Sequence, residues 1–348
     1  MRAPGAGTVL RARKKIELYL SRRALILLYH RVAELDSDPW GLVVTPRHFE
    51  EHLQVLRGFG RVMPLKELAA AVNNQALPRR AVAVTFDDGY ADNLLNAKPL
   101  LEKHSVPATV FIATGHTGEA REFWWDELDT LFLQPGSLPG ELNLKVNGNE
   151  YHWELGETAV YEEESLAANR RWKAWRPEVP TPRHSIYRSL WQLMQPMSHI
   201  ERRRVGDKLL QWAGERPHDN RARRVLTSEE IVELTAGGLI EAGCHTVTHP
   251  QLSSLDADSQ RREIGDSKAD LEKILGRQVT AFAYPYGGER DYTSETVDLV
   301  RRKEFFCGCT TTEAVVRANT DCYRLPRLQV PDIDGDSFAR LLSERIEA

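Results

Sequence analysis

Apolar runs of strand length alternate with helical patterns along two parts of the chain. Runs of strand length that are mostly apolar predict buried strands, and they lie at 24–29, 81–86, 108–113, 239–244, 279–284 and 305–310. Helical patterns lie between them at about 46–58, 92–104, 228–236, 256–275 and 294–303. This alternation predicts an α/β fold whose parallel strands are joined by crossover helices. Periodicity alone does not show whether the sheet closes into a barrel.

Short signals mark where several helices begin and end. Thr45 precedes Pro46, which suits an N-cap followed by proline at the first helical position, and Gly58 is the expected end of that helix. The stretch Thr227-Ser228-Glu229-Glu230 predicts a capping box. These signals support the helix assignments without reference to hydrophobicity.

Residues 118–225 break the alternation. Seven of the eight tryptophans fall there, and Asn147-Gly148 separates two runs of strand length, which predicts a hairpin with a type I′ turn. The rest of the segment has helical patterns rich in Arg and Trp. We therefore expect a mainly helical insertion at 118–225 within one domain formed by 24–117 and 226–348, preceded by a basic lead-in at 1–23.

Composition and charge exclude several classes of protein. Lys plus Arg is 46 and Asp plus Glu is 50, a net charge of −4, which argues against nucleic acid as a partner. The four cysteines form no C-x-x-C pair, so neither a disulfide framework nor a cysteine–zinc module is expected. The sequence has no transmembrane-length apolar run and no recognisable signal peptide, so we expect a cytoplasmic location.

Basic clusters point weakly to a charged surface partner. The N-terminal cluster and Arg202–Arg204 together could contact an acidic membrane surface or a lipid-linked phosphate. The alternative for Arg202–Arg204 is a solvated helix face.

Two segments that follow predicted strands carry chemistry-bearing side chains. Asp87 and Asp88 are adjacent carboxylates, which raise one another's pKa unless a cation neutralises them. The alternative is an Asp–Gly turn with one Asp as a helix cap. His245 and His249 have the i, i+4 spacing that can converge on a metal, or they are two surface histidines of a loop. One Asp and two His together offer a metal site with open positions, and the second Asp is then free to act as a base.

Two further strand ends add candidates. Pro285 and Gly287 predict a tight turn after the strand at 279–284, whose backbone N–H groups could face a developing oxyanion. Alone, such a turn is generic. His30 ends the first strand and could donate a proton near neutral pH, although a lone histidine there is more often structural.

At this point the motifs resemble a known family. Thr-Phe-Asp-Asp-Gly-Tyr at 85–90, His-Thr-Val-Thr-His-Pro at 245–250 and Phe-Ala-Tyr-Pro-Tyr-Gly at 282–287 occur in the order found in the polysaccharide deacetylase (NodB-homology) family of carbohydrate esterases. The resemblance covers about 25–115 and 226–335. It implies a deformed (β/α)7 TIM-like barrel carrying the Trp-rich, mainly helical insertion.

The resemblance also implies a reaction and its residues. A divalent metal, usually zinc, would be held by Asp88, His245 and His249, and Asp87 would be the general base for the metal-activated water. The backbone N–H of Tyr286 would help stabilise the oxyanion. The reaction would hydrolyse an N-acetyl group of an amino sugar and release acetate.

The sequence departs from the family pattern at two places. Many members have an Arg before the Pro-Tyr-Gly turn that tethers the base, but Ala283 and Tyr284 stand there, which leaves Arg324 or Arg327 as substitutes. Many members also have a late histidine as the general acid, which is absent here. Tyr-His-Arg-Val at 29–32 instead resembles the branch that deacetylates exopolysaccharides such as poly-N-acetylglucosamine, which makes His30 the candidate acid.

The substrate side is less defined by the sequence. The expected partner is an N-acetylated sugar polymer, an oligomer or a lipid-linked saccharide. Trp124 and Trp125 could stack on sugar faces or could pack helices onto the barrel. The remaining candidates for substrate contact are Tyr90, Pro285 and Arg327.

Two other functions remain open from the residues. Two His and one Asp also suit a non-haem iron oxygenase. The missing Arg and late His would suit a catalytically weak, carbohydrate-binding member of the family.

Overall fold

A parallel sheet with helices on its outer side forms the frame of the protein. The computed structural model describes residues 22–119, 121–216 and 223–347, so the basic lead-in at 1–23 lies outside the described residues except for its last two. The strands of the described part are Ala24–Tyr29 (β1), Arg31–Val32 (β2), Val43–Val44 (β3), Arg61–Val62 (β4), Ala81–Phe86 (β5), Ala108–Ile112 (β6), Gly136–Ser137 (β7), Glu141–Val146 (β8), Asn149–Glu154 (β9), Val160–Tyr161 (β10), Ile240–Cys244 (β11), Ala281–Ala283 (β12), Cys307–Cys309 (β13) and Leu328–Gln329 (β14). In the main sheet, seven of them follow one another in the order β13-β12-β11-β6-β5-β1-β14, and β4 pairs with β5.

The helices connect the strands and build the insertion. They are Pro46–Phe59 (α1), Leu65–Asn73 (α2), Lys98–His104 (α3), Trp124–Leu133 (α4), Glu163–Asn169 (α5), Pro182–Met194 (α6), His199–Ala213 (α7), Ser228–Thr235 (α8), Ala257–Leu275 (α9), Ser294–Arg302 (α10) and Gly335–Glu347 (α11). A π-helical turn, Asn93–Ala97, precedes α3. No helix in the described ranges is both long and apolar enough to cross a lipid bilayer.

The late segment before α11 contacts both edges of the sheet. Leu325 forms a parallel bridge with Cys309 of β13, and β14 pairs with β1 through Leu328 and Leu27. Strand β14 lies at one end of the sheet, and Leu325 just before it contacts β13 at the other end. The sheet therefore curls until its two ends approach each other. The predicted deformed, TIM-like barrel is confirmed.

Strands β1 and β5 are almost entirely apolar because both of their faces are covered. All six residues of β1 are buried, and the same holds for β5. Parallel strands packed by side chains on one face and by helices on the other read as continuous apolar runs rather than as alternating ones. The apolar runs at 24–29 and 81–86 therefore predict these two strands with the bounds that the structure shows.

The insertion has a hydrophobic cluster of its own. Phe123, Phe132, Tyr187 and Leu190 are among its buried members, and they belong to or flank α4 and α6. The predicted hairpin is present as β8 and β9, and its two turn residues, Asn147 and Gly148, both have positive φ, as a type I′ turn requires.

Several local predictions need correction. The helix predicted to end at Gly58 continues through Phe59 and is capped by Gly60. The strands predicted at 279–284 and 305–310 are shorter, because only three residues of each pair with a neighbour. By contrast, the capping box at Thr227 is present and opens α8.

Candidate active site

The carboxyl ends of parallel strands bring the predicted site residues together. His30 follows β1, Asp87 and Asp88 follow β5, and His245 follows β11. All four line one open cavity of about 360 Å³. The full lining is His30, Trp40, Leu42, Asp87, Asp88, Trp125, Trp191, Gln195, His245, His249, Tyr286, Asp291, Thr311 and Gln329. Barrel enzymes place their catalytic groups at this end of the strands.

Asp87 is held by a buried arginine. The Nη1 and Nη2 atoms of Arg327 donate to the two carboxylate oxygens of Asp87, each at 2.7 Å. Arg327 Nε donates to the carbonyl of Thr310 at 2.9 Å, which fixes the guanidinium plane. Both side chains of the pair are buried, so the ion pair is shielded from water. Of the two substitutes that the sequence offered for the missing tether, the structure places Arg327 on the base.

Asp88 lies between the two histidines. Its Oδ1 is 3.4 Å from Nε2 of His249 and 3.6 Å from Nε2 of His245. In the described residues these three side chains form a group whose ligand atoms all lie within 4.8 Å of one another. Ligand bonds of about 2.0–2.2 Å around one tetrahedral zinc ion would separate neighbouring ligand atoms by roughly 3.3–3.5 Å. The two separations between Asp88 and the histidines are close to this value, and the group as a whole is wider, so it could close around such a cation.

The electrostatics of Asp88 also favour a cation. Burial raises the pKa of this carboxyl well above its usual range, and the neighbouring Asp87 and Asp126 carboxylates raise it further. A buried carboxylate of this kind is stabilised when a positive ion compensates its charge. The His245 ring is already oriented, because its Nδ1 lies 2.8 Å from the carbonyl of Ala283. A donated proton there leaves Nε2 unprotonated and free to bind metal.

The two carboxylates differ in their protonation. Burial alone would raise the pKa of Asp87, but the Arg327 guanidinium, and then His245, hold it below its ordinary value of 3.8. Asp87 is therefore ionised at neutral pH, as a general base must be.

Unusual backbone conformations concentrate at the site. Asp88, Thr246, His249 and Tyr286 all have positive φ, at 73°, 65°, 52° and 60°. Each costs a non-glycine residue about 1–3 kcal/mol, so the surrounding contacts must impose it. The turn predicted to hold an oxyanion donor is present at Tyr286, and the carbonyl of Tyr286 accepts from Thr311 Oγ1 at 2.6 Å. The catalytic use of the Tyr286 N–H stays a prediction.

The loop that carries His245 and His249 is held by hydrogen bonds from two sides. Glu263 of α9 accepts from the backbone N–H groups of Val247 and Thr248, both at 2.9 Å. On the other side, Arg202 of α7 donates to the carbonyl of His249 at 3.0 Å and to that of Met194 at 3.1 Å. The interpretation of 202–204 as a solvated helix face is wrong at Arg202, since this side chain is buried. Its guanidinium therefore links the end of α6 to the loop that carries His245 and His249.

His30 faces the catalytic groups from the first strand. Burial lowers its pKa to about 4, and the nearby Asp87 carboxylate only partly opposes this. His30 is therefore neutral at neutral pH and must receive a proton before it can donate one. Its Nδ1 is buried and has no hydrogen-bond partner among the described residues. The use of His30 as the acid stays a prediction.

Four residues expected to contact substrate have other tasks. Tyr90 is fully buried, donates to Asp126 at 2.7 Å and accepts from Trp125 Nε1, so that expectation is wrong. It is also wrong for Arg327, which is fully buried on Asp87. Pro285 is buried in its turn, and Trp124 is buried behind the cavity wall, where it packs edge-on against Trp125 and does not itself line the cavity. Trp125 does line the cavity.

Two aromatic residues of the cavity wall were missed by sequence reasoning. Trp191 on α6 and Trp40 before β3 pack together with ring centroids 4.2 Å apart, and both line the cavity. Neither belongs to a motif. For Trp191 the only signal was the enrichment of tryptophan in the insertion, which did not distinguish it from the other tryptophans. Trp40 lies outside the insertion and had no such signal.

The comparison with protein families agrees with this geometry. The family model described as polysaccharide deacetylase matches residues 74–135 and 209–305. The chain carries a polysaccharide deacetylase domain. The matched ranges contain Asp87, Asp88, His245, His249 and Tyr286, while the segment 136–208 lies between them. His30 and Arg327 lie outside the matched ranges of the deacetylase domain, and only the fold brings them to the site.

Two curated relatives match part of the deacetylase domain. The Bacillus subtilis protein YxkH is 35% identical over 127 residues, which is 35% of this chain and 44% of that protein. A Staphylococcus aureus protein named poly-beta-1,6-N-acetyl-D-glucosamine N-deacetylase is 32% identical over 119 residues, which is 30% of this chain and 41% of that protein. The chain thus matches less than half of the length of either relative. The names of both describe deacetylases that act on polysaccharides.

Solved structures share the fold of the deacetylase domain over nearly the whole chain. The Streptococcus pyogenes deacetylase PplD in complex with acetate has a TM-score of 0.56 and 20% identity, and the match covers 94% of this chain and 100% of that one. IcaB from Ammonifex degensii has a TM-score of 0.55 and 19% identity, with 94% and 98% covered. The aligned part of this chain is longer than the ranges that match the family model.

Proposed function

We propose that this protein hydrolyses the N-acetyl group of an amino sugar in a polysaccharide or oligosaccharide and releases acetate. One observation carries the proposal: a tethered, ionised carboxylate, Asp87, lies next to three converging metal ligands in an open cavity. The family match and the names of the curated relatives support it. Poly-N-acetylglucosamine is the substrate that the relatives' names favour.

The residues of the chain divide the work of amide hydrolysis. Asp88, His245 and His249 would hold a divalent cation, for which we propose zinc. Such a cation would polarise the amide carbonyl and lower the pKa of an attacking water. Asp87 takes a proton from that water, because Arg327 keeps its carboxylate ionised and correctly oriented.

The remaining steps break the carbon–nitrogen bond. The water oxygen adds to the carbonyl carbon, and the Tyr286 N–H donates to the oxygen that becomes negative. The proton removed from water balances the proton that the leaving nitrogen needs. Asp87 passes this proton to the neutral imidazole of His30, and His30 gives it to the nitrogen as the carbon–nitrogen bond breaks. The products are acetate and a free amine on the sugar.

Two alternative functions are less well supported. A weak, carbohydrate-binding member was suggested by a missing base tether and a missing acid, but Arg327 contacts Asp87 and His30 lines the cavity. An iron oxygenase would share the metal ligands, but it gives Asp87 and its tether no task. The relatives' names describe deacetylases instead.

Partners and location follow from the same proposal. We propose an N-acetylated glycan as the partner, with lipid-linked saccharides as a variant of it. A cytoplasmic location stays a prediction from the sequence.

Acetate release from N-acetylglucosamine oligomers tests the proposed function. We expect release by the protein as purified, loss of release after chelation, and recovery when zinc is added back. A protein that binds zinc at one ion per chain and releases no acetate from any oligomer would contradict the proposal. Dependence on 2-oxoglutarate would support the oxygenase.

A further inference from the structure

A wide groove opens beside the catalytic cavity. Its volume is about 1410 Å³, and Trp40 and Gln329 line both the groove and the cavity. The groove runs between the segment before β3, the inserted segment 170–175 and the face of α11. The inserted wall lies outside the two ranges that match the family model. A ligand longer than the cavity could therefore continue into this groove.

Trp175 is an exposed aromatic side chain on the groove wall. It is 58% exposed, although burial would be expected of a large apolar ring. Its position is nevertheless fixed. The preceding residue, Ala174, donates its N–H to the carbonyl of Pro39 at 2.8 Å, and Lys173 pairs with Asp38 at 2.8 Å. The ring is therefore exposed to the groove on a segment that a backbone hydrogen bond and an ion pair hold in place.

The ring of Trp175 lies against a backbone that leads to the cavity. A Cβ built on Gly41 would lie only 2.9 Å from Cη2 of Trp175, so a larger residue at 41 would displace the ring. The carbonyl of Gly41 accepts from Gln329 Nε2 at 3.0 Å. Gln329 lines both spaces, so the position of Trp175 is set relative to the catalytic cavity.

The charges of the groove favour a neutral ligand. Lys173 pairs with Asp38, and Arg345 pairs with Glu313 at 2.8 Å. The remaining charged side chains on the groove wall include both signs, namely Arg170, Arg171, Glu34, Asp36 and Asp332. A polyanion would meet as much repulsion as attraction here. Hydroxyl-rich sugar rings combine polar edges with apolar faces, which suits mixed polar groups around one exposed indole.

We propose that this groove binds the sugar units next to the one being deacetylated, and that Trp175 stacks against one of their rings. The proposal rests on the proposed function, because it takes the cavity as the reaction site. It makes the substrate a chain of several sugars rather than a single amino sugar. Contacts far from the reacting bond then contribute to transition-state binding only for longer chains.

Chain-length dependence tests the groove. We would measure kcat/KM for the disaccharide and the hexasaccharide of N-acetylglucosamine with the wild type and with Trp175→Ala. We expect the hexasaccharide value to fall about two- to tenfold, as the loss of one aromatic contact predicts, and the disaccharide value to stay unchanged. Trp175→Phe should retain most of the wild-type value. Ile200→Ala is the matched control, since Ile200 is 63% exposed on the insertion and does not line the groove.

The outcomes separate the groove from the proposed function. If Trp175→Ala leaves the hexasaccharide value unchanged, or lowers both values equally, the groove proposal is wrong while the deacetylase proposal stands. If the wild type releases no acetate from either sugar, the proposed function fails. Calorimetric titration with the hexasaccharide then decides on the groove. Binding weakened by Trp175→Ala supports it, and equal binding by both proteins contradicts it.

Discussion

Two adjacent residues of the same type have opposite surroundings in this site. Asp87 receives two donors from Arg327, whereas Asp88 faces the Nε2 atoms of His245 and His249. One carboxylate is therefore stabilised as an anion within the protein, and the other is stabilised only when a cation is supplied. This difference in partners is the physical basis for assigning one as base and the other as ligand.

The tether can be tested through the pH dependence of turnover. Replacing Arg327 by Met removes the guanidinium that lowers the pKa of Asp87. The acid limb of the pH–rate profile should therefore move to higher pH, because the base becomes protonated earlier as pH falls. The measurement is acetate release across the acidic range. Arg324→Met is the matched control, since Arg324 is exposed and contacts no carboxylate oxygen of Asp87.

The same substitution affects stability. Breaking a buried ion pair from one side costs about 3–5 kcal/mol, because the remaining charge is left unpaired. The stabilisation by an ionised Asp87 is present above about pH 3.9 and is lost as pH falls through the lower folded-state pKa. The double variant Asp87→Asn with Arg327→Met should melt at a higher temperature than Arg327→Met alone. Equal melting temperatures would contradict this explanation, because they would mean that an unpaired Asp87 does not destabilise the protein.

The motifs predicted the site residues that lie close together in sequence. Asp87 and Asp88 are adjacent, and His245 and His249 are one turn apart, so local spacing carried the information. The partner of Asp87 is 240 residues away, and nothing local separates Arg327 from the exposed Arg324. Tyr90 belongs to the same motif as the aspartates, but its fully buried hydroxyl shows that membership of a motif does not imply contact with substrate.

At the scale of single elements, α7 of the insertion supports the loop that carries His245 and His249. Arg202 donates to carbonyls of His249 and of Met194, and it is buried with the guanidinium 5.2 Å from the ring centre of Trp124. Arg202→Met removes the side-chain donor of the His249 carbonyl, whereas the Met194 carbonyl still accepts from the N–H of Met197. We expect zinc affinity to fall about 10- to 100-fold, in the range found for other supporting partners of metal ligands.

Metal titration of matched variants checks this role. Arg204→Met on the same helix is the control, because Arg204 is exposed. Arg202→Lys keeps one donor group and should recover part of the affinity. If Arg202→Met melts at a lower temperature but binds zinc as tightly as the wild type, α7 only stabilises the fold and does not position the loop.

Helix α6 contributes a wall of the cavity. Replacing Trp191 by Ala should raise KM about two- to tenfold with little change in kcat, because an aromatic contact to a sugar is lost equally in the ground and transition states. Trp212→Ala is the control, since this residue packs on Phe132 of the insertion and does not line the cavity. An unchanged KM for Trp191→Ala would mean that Trp191 packs the cavity wall and does not contact the sugar.

Long, fully buried elements were predicted well, and short ones were not. The bounds of β1 and β5 agree with the sequence prediction because a run of six residues with at most one polar side chain has few alternatives. The two-residue strands β2 and β3 and the helix α11 have weaker patterns and were not predicted. The π-helical turn before α3 also has no signature in apolar spacing.

At the scale of the whole molecule, the site depends on chain segments that are far apart in sequence. The matched ranges 74–135 and 209–305 supply the base and the metal ligands. His30 comes from the first strand of the sheet, and Arg327 comes from the late segment that contacts both edge strands. The curled sheet therefore brings the proposed acid, the tether of the proposed base and the proposed metal ligands to one site, which sequence spacing alone could not establish.

The division of labour between the two aspartates is the central claim, and Asp87→Asn tests it most directly. Bound zinc per chain and acetate release are measured on the same preparation. We predict wild-type zinc content with acetate release reduced about 10²- to 10⁴-fold, as expected for loss of a general base. Loss of zinc from Asp87→Asn together with retention of zinc by Asp88→Asn would contradict the assignment and exchange the two roles.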